Sequence, residues 1–218
     1  MGRPKIARKS THVDMTAFCD VGFLLLSFFI LTTKFKPPEA LTVVTPGSVS
    51  SKEAKSENQC LVSIGPDGRV FISFSEENRR VEVVDDLNKR LGLTLTDAEV
   101  NSAGTSEYFA SSLNQLKSFL AIPIDQRVGS TFPGIPIKDT ANNELVEWVR
   151  SVGNVFLGEQ LNLMVKGDQT MQYPAFKGVI DAFKKNDQMK FLIVTSQESI
   201  PGGTPLAQKV IKGEKVAE

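Results

Sequence analysis

The sequence predicts an α+β protein: a single N-terminal transmembrane helix followed by a two-layer α/β domain with a small mixed sheet. Three observations carry this. The strongest hydrophobicity is gathered into one run near the N-terminus, in a chain of 218 residues that is only 41% apolar and 23% charged. Downstream, short β-prone runs alternate with amphipathic helical patterns. The composition is that of a folded chain rather than a disordered one, and the length suits one medium domain with an added element.

The elements follow in order. Residues 1–14 form a basic tail with Arg3, Lys5, Arg8 and Lys9. The transmembrane helix, 15–33, reads MTAFCDVGFLLLSFFILTT. At 1.5 Å per residue it is about 28 Å long, close to the hydrocarbon thickness of a bilayer. Its leucines and phenylalanines cover every face, unlike a core helix with one apolar stripe. The run outlasts a signal-peptide core, and Lys34-Phe35-Lys36-Pro37 offers no small-residue cleavage site. Pro37-Pro38 stops the helix. The basic residues upstream favour a cytoplasmic N-terminus and a domain on the far side.

Residues 34–58, rich in Pro, Ser, Thr, Lys and Glu, read as a flexible linker. Inside it Leu41-Thr42-Val43-Val44-Thr45 is β-prone. It is either plain linker or a strand that adds to a partner's sheet edge.

The domain is expected over 59–196. Cys60, Leu61 and Ser63 on one side of Pro66-Asp67-Gly68, and Val70, Ile72 and Phe74 on the other, predict a hairpin. A short amphipathic helix is predicted over 83–91, ended by Gly92. Residues 97–120 carry Tyr108, Phe109, Leu113, Leu116 and Phe119 at helical spacing, then 122–137, with three prolines and two glycines, reads as a long loop. A helix over 139–156 presents Leu145, Trp148, Val149 and Val152. Strand 161–165, helix 173–185 and strand 190–195 complete the layer. The stretch of about 94–160 is thus a helical insertion, and 197–218, with Pro201-Gly202-Gly203, a C-terminal tail.

Several chemistries are excluded. The 25 basic and 25 acidic side chains cancel, so no field attracts nucleic acid. His12 is the only histidine and lies in the tail, which leaves no serine in the domain with a base to activate it. Cys19 and Cys60 have no ligand-type neighbours and form no CxxC pair. No Gly-rich phosphate loop is present. Glu76-Glu77 and Asp85-Asp86 read as solvated charge. Catalytic, cofactor and metal sites are therefore not expected. Cys60 is either a buried free thiol or a cross-link between two copies.

One residue is out of place in a mere anchor. Asp20 lies about 7 Å past Met15 along the helix axis, and a carboxylate near the bilayer centre costs roughly 2.5–3.5 kcal/mol. It either snorkels to the near interface or faces protein. Thr16 at i−4 and Ser27 at i+7 share its side and form a narrow polar stripe. A single span cannot hide that stripe without other helices.

The run Asp14-Met15-Thr16-Ala17-Phe18-Cys19-Asp20-Val21 resembles the single transmembrane helix of the ExbD/TolR family of biopolymer-transport proteins, whose pattern is T-P-F-x-D followed by apolar residues. Thr16, Phe18, Asp20 and Val21 match, and Ala17 stands where proline is common. Leu163 to Asp168, Tyr173 to Phe183 and Lys190 to Val194 resemble the family's closing strand-helix-strand unit. The stretch from Thr94 to Gln160 has no counterpart in that pattern. The resemblance implies a proton-motive-force-driven inner-membrane motor. In it Asp20 would carry the proton, supported by Thr16 and Ser27. The implied partners are ExbB/TolQ-type multi-span subunits, a second copy of the chain and a TonB- or TolA-like protein. The domain would be periplasmic. The rival reading is a non-conducting, membrane-anchored binding or structural protein.

Overall fold

The computed structural model describes residues 15–32, 41–49, 57–127, 131–137 and 143–198. The chain divides into two units, Met1–Pro37 and Pro38–Glu218. The first unit contributes one helix, α1 (Met15–Thr32), none of whose residues is buried. The basic tail lies outside the described residues.

The second unit is α+β, as predicted. Its centre is a four-stranded mixed sheet of β2 (Gln59–Ile64), β3 (Val70–Phe74), β4 (Asn162–Gly167) and β5 (Leu192–Val194) in the order β3-β2-β4-β5. The predicted hairpin is present: β2 and β3 are antiparallel around a turn closed by the Gly68 N–H donating to the Gly65 carbonyl at 3.0 Å. Strands β2, β4 and β5 are mutually parallel. The register puts Cys60, Val62 and Ile64 beside Phe74, Ile72 and Val70 on one flank, and sets Cys60 and Val62 beside Leu163 and Val165 on the other. All eight are buried.

Helices α2 (Glu77–Leu91), α5 (Leu145–Val155) and α6 (Tyr173–Lys185) supply the helical part of the core, α5 touching both others. They bury Val83, Val84 and Leu87, then Leu145, Trp148, Val149 and Val152, then Val179, Ala182 and Phe183. Arg90 ties α2 to α5, pairing with Glu147 and donating to the Glu147 carbonyl at 2.9 Å and to Ser151 Oγ at 3.0 Å. Helix α6 has the predicted limits, with Pro174 in its first turn, where its missing N–H costs nothing. Helix α2 ends as predicted at Gly92, which has φ +65°. It begins six residues earlier than periodicity suggests. Its first turns are held by Arg80, which donates to the Phe74 and Gly104 carbonyls, and not by an apolar stripe. Helix α5 starts at Leu145 instead of 139. Asn143 Oδ1 accepts from the Leu145 N–H, and residues 138–142 lie outside the described set.

The larger difference lies in 97–120, which is not one helix. It holds α3 (Asp97–Ser102), capped by reciprocal Thr96–Glu99 bonds, and α4 (Leu116–Ala121). Between them the chain is extended at Phe109, which pairs with Ile72 of β3 through two backbone bonds of 2.8 and 3.1 Å. Satisfying that strand edge outweighs a helical spacing that is only local. In the expected loop 122–137 the described residues hold one 3-10 turn, Ile124–Gln126, and the Ile135 N–H donates to the Val70 carbonyl at 2.8 Å, while 128–130 lie outside the described residues. Phe109 then stacks on Trp148 with ring centroids 4.9 Å apart, locking the insertion to α5.

The second difference is in the expected linker. Residues 41–49 pack on the domain: Leu41 and Val43 are buried in its core, and β1 (Gly47–Ser48) pairs in parallel with β6 (Ser196–Gln197). The alternation of apolar residues at 41 and 43 with outward Thr42 and Val44 gives an extended segment one face to bury. It does so against its own chain. The tail accordingly begins beyond the β6 pair, and 199–218 lies outside the described residues.

Of the two readings of Cys60, the structure shows a buried thiol, fully enclosed, whose burial pushes its ionisation well above the ordinary cysteine range. Cys60 in the folded protein will therefore resist a water-soluble maleimide. It will label only as denaturant unfolds the domain, in step with loss of the Trp148 fluorescence signal. Rapid labelling without denaturant would show that the sheet opens far more readily than this packing allows.

Candidate functional site: a carboxylate on the apolar helix

Helix α1 contains no proline, and its long apolar side chains favour the helical backbone in an apolar solvent, where every backbone polar group must be bonded internally. Its hydroxyls obey the same rule. Ser27 Oγ donates to the Leu24 carbonyl at 3.0 Å and Thr32 Oγ1 to the Phe28 carbonyl at 2.8 Å. Ser27 thus spends its proton within the helix and keeps its lone pairs outward.

Thr16, Asp20 and Ser27 fall within roughly 40° of one another around the axis. Thr16 and Asp20 are one turn apart, about 6 Å in rise, whereas Ser27 lies about 10 Å beyond Asp20. Geometry therefore joins the first two and leaves Ser27 as a separate polar point on the same side. Asp20 is exposed on the helix surface, with no ion-pair partner among the described residues. In water that is unremarkable. In hydrocarbon it demands either a partner surface or neutralisation. Helix α1 is the one helix among the described residues long and apolar enough to cross a membrane.

The sequence model of the family described as biopolymer transport protein ExbD/TolR matches residues 7–198, nearly the whole chain. The chain belongs to the ExbD/TolR family. Comparison with curated proteins and with solved structures gives no significant match. ExbD/TolR membership together with the single span makes the chain a single-pass inner-membrane subunit of a biopolymer-transport motor, a class distinct from conventional enzymes. The strand-helix-strand unit expected near the C-terminus is present as β4-α6-β5, with its two strands paired in parallel.

That unit carries a residue whose role could not be read from the sequence. Asp168, directly after β4, is buried and accepts three hydrogen bonds: from the Thr170 hydroxyl at 2.6 Å, the Thr170 N–H at 2.8 Å and the Val44 N–H at 3.0 Å. The Gln169 N–H returns a bond to the Val44 carbonyl at 2.8 Å, so Val44 is gripped on both sides. The D-x-T spacing at 168–170 signals a local turn, but nothing in it names a partner 124 residues away.

These bonds, Thr170's foremost, hold the Asp168 carboxyl below the usual carboxylate range. A folded value depressed below the unfolded one, about 3.9, contributes stability above that pH and loses it as pH falls through the folded value. The unfolding midpoints of wild type and Asp168→Asn should therefore differ at neutral pH and converge as pH falls below the unfolded value and through the depressed folded one. Denaturant titrations of the membrane-extracted protein at several pH values read this directly. A gap that stays constant through that fall would show that the Asp168 charge does not hold the fold.

Proposed function

We propose that the chain is the proton-carrying subunit of an ExbB-ExbD/TolQ-TolR type motor, with Asp20 as the group that takes and releases the proton. What carries the reading is the single carboxylate on an otherwise apolar span, flanked by hydroxyls on its own side. An anchor gains nothing from that arrangement and bears its cost. Asp20 is also the only carboxylate on α1, the kind of group suited to bind and lose a proton in such a cycle. Each proton crossing 100 mV releases about 2.3 kcal/mol, enough to shift helices that pack with comparable energies.

In this reading multi-span ExbB/TolQ-type subunits supply the polar surroundings that Asp20 lacks alone, and two copies of the chain share them. The N-terminus is cytoplasmic, in keeping with the basic residues before the span, and the domain is periplasmic. There it hands the work to a TonB- or TolA-like partner. Thr16 and Ser27 orient the proton path without carrying the charge.

The test is substitution at Asp20 with assembly as the control. Asp20→Asn is nearly isosteric and should abolish energised transport while the complex still co-purifies. Asp20→Glu should retain part of the activity, and Ser27→Ala should be milder than Asp20→Asn. Full transport in Asp20→Asn would overturn the proton-carrier assignment and favour the non-conducting anchor. Loss of the complex along with transport would make Asp20 an assembly residue instead.

A further inference from the structure

Residues 41–48 cross the C-terminal ends of the three parallel strands in order. Leu41 sits at the end of β2, where Gly65 leaves the room it needs: a Cβ there would lie 2.4 Å from Leu41 Cδ2. Val44 is gripped at the end of β4 by Asp168 and Gln169. Beyond β5, the Ser196 and Glu198 N–H groups donate to the Pro46 and Ser48 carbonyls, each at 3.0 Å. The segment is thus a strap with one seat per strand. Its backbone hold is shorter than the sheet ladder, with two residue pairs between β1 and β6 and one two-bond clamp at Val44, beside the buried side chains of Leu41 and Val43. A second fixed point follows at Asn58, whose N–H donates to Glu76 Oε1 at 3.2 Å and whose side chain donates to Glu159 Oε2 at 3.3 Å.

We propose that this strap is a releasable length of tether between the membrane helix and the domain, latched by the Asp168–Val44 clamp, and that the working cycle of the protein requires its release. With the strap seated, the first hold after Thr32 among the described residues is Leu41, and a chain from Thr32 to Leu41 spans at most about 30 Å. With the strap free, the next hold among the described residues is the Glu57 carbonyl, which accepts from Asn162 Nδ2 at 2.7 Å, and a chain from Thr32 to Glu57 extends to at most about 90 Å. The domain itself need not unfold, because β2 onward keeps its own ladder. Thr170 fixes one carboxylate oxygen of Asp168 and leaves the other aimed at the strap, so the latch is formed before the strap arrives. That its release is used rests on the motor reading above.

Two experiments on the full-length chain in its membrane complex decide the matter. The first is amide exchange at Gln169, Ser196 and Glu198, which donate to the strap, with the β2–β4 ladder as control. Val44→Pro removes the donor that Asp168 accepts and touches nothing in the sheet. It should speed exchange at all three amides by about tenfold or more and leave the ladder unchanged. Asp168→Ala should act alike, and if it loosens the ladder, Val44→Pro decides. Unchanged exchange in Val44→Pro overturns the latch. The second is a lock: cysteines replacing Ser48 and Gln197, which are direct neighbours in the parallel pair, with Cys19 and Cys60 replaced by serine. Oxidation should stop energised transport and reductant should restore it. Full transport by the oxidised lock overturns the proposal while leaving the role of Asp20 intact. Failure of the Asp20→Asn test, with the lock still redox-reversible, would overturn the motor reading and leave the strap standing.

Discussion

The parallel pairing of β2 with β4 is the constraint on which the domain depends. Six successive residues, Gln59 to Ile64, pair with Asn162 to Gly167, two segments about a hundred positions apart in the chain. Parallel strands cannot be joined by a tight turn, so everything between them must leave the sheet and return. That requirement explains why a chain with a long insertion still folds around one core. The intervening segments supply α2 and α5, whose buried residues join the same core as Val62 and Val165, and the loop closure they cost is recovered only when both strands are in place. The same pairing aligns the C-terminal ends of β2, β4 and β5 on one side, which creates the row of seats that the strap occupies.

The edges of the sheet are treated differently. On the β3 side the insertion supplies backbone partners of its own: Phe109 for Ile72, and Ile135 for the Val70 carbonyl. An exposed strand edge is a template for unwanted pairing, and an insertion that fills it removes that hazard. Gly134, at φ +81°, makes the fit possible, because a side chain there would meet the Val70 backbone at 3.0 Å. The aromatic cluster of Tyr108, Phe109, Phe119 and Trp148 then anchors the insertion by packing rather than by regular structure. On the opposite side, β5 is short and paired only with β4 among the described residues. The domain therefore presents one closed and one open flank.

The two units answer to two solvents. Helix α1 has no buried residue and is apolar apart from the side that carries Thr16, Asp20 and Ser27, so its stability belongs to the bilayer and to whatever helices surround it. The domain is held by an ordinary apolar core with charge pairs at its rim, such as Arg79 with Glu82 and Glu159. On the proposed reading, work done at Asp20 would reach the domain through the connecting chain. A connection that is partly folded onto the domain has a defined length and a defined point of attachment, whereas an unstructured one transmits little force until it is taut.

The span, its carboxylate, the α+β class, the hairpin and the whole β4-α6-β5 unit were legible in the sequence because each is specified locally. Composition alone distinguishes a nineteen-residue, mostly apolar run from a core helix, a Pro-Asp-Gly turn marks a hairpin, and 3.6-residue periodicity marks α5 and α6. Tertiary structure decided the rest. Phe109 fits a helical stripe by spacing, yet pairs as a strand, because an edge carbonyl and N–H of β3 needed partners that only folding brought near. Leu41 and Val43 sit in a stretch whose composition reads as linker, yet they are buried. Composition reports the average affinity of a segment for water, and three non-local strand ends can outweigh it. Asp168 shows the same limit most plainly: its turn with Thr170 is written in three adjacent residues, but its hold on Val44 exists only because β2 and β4 lie side by side. Local patterns determined which elements form, while long-range pairing determined which backbone groups were left to be satisfied, and by what.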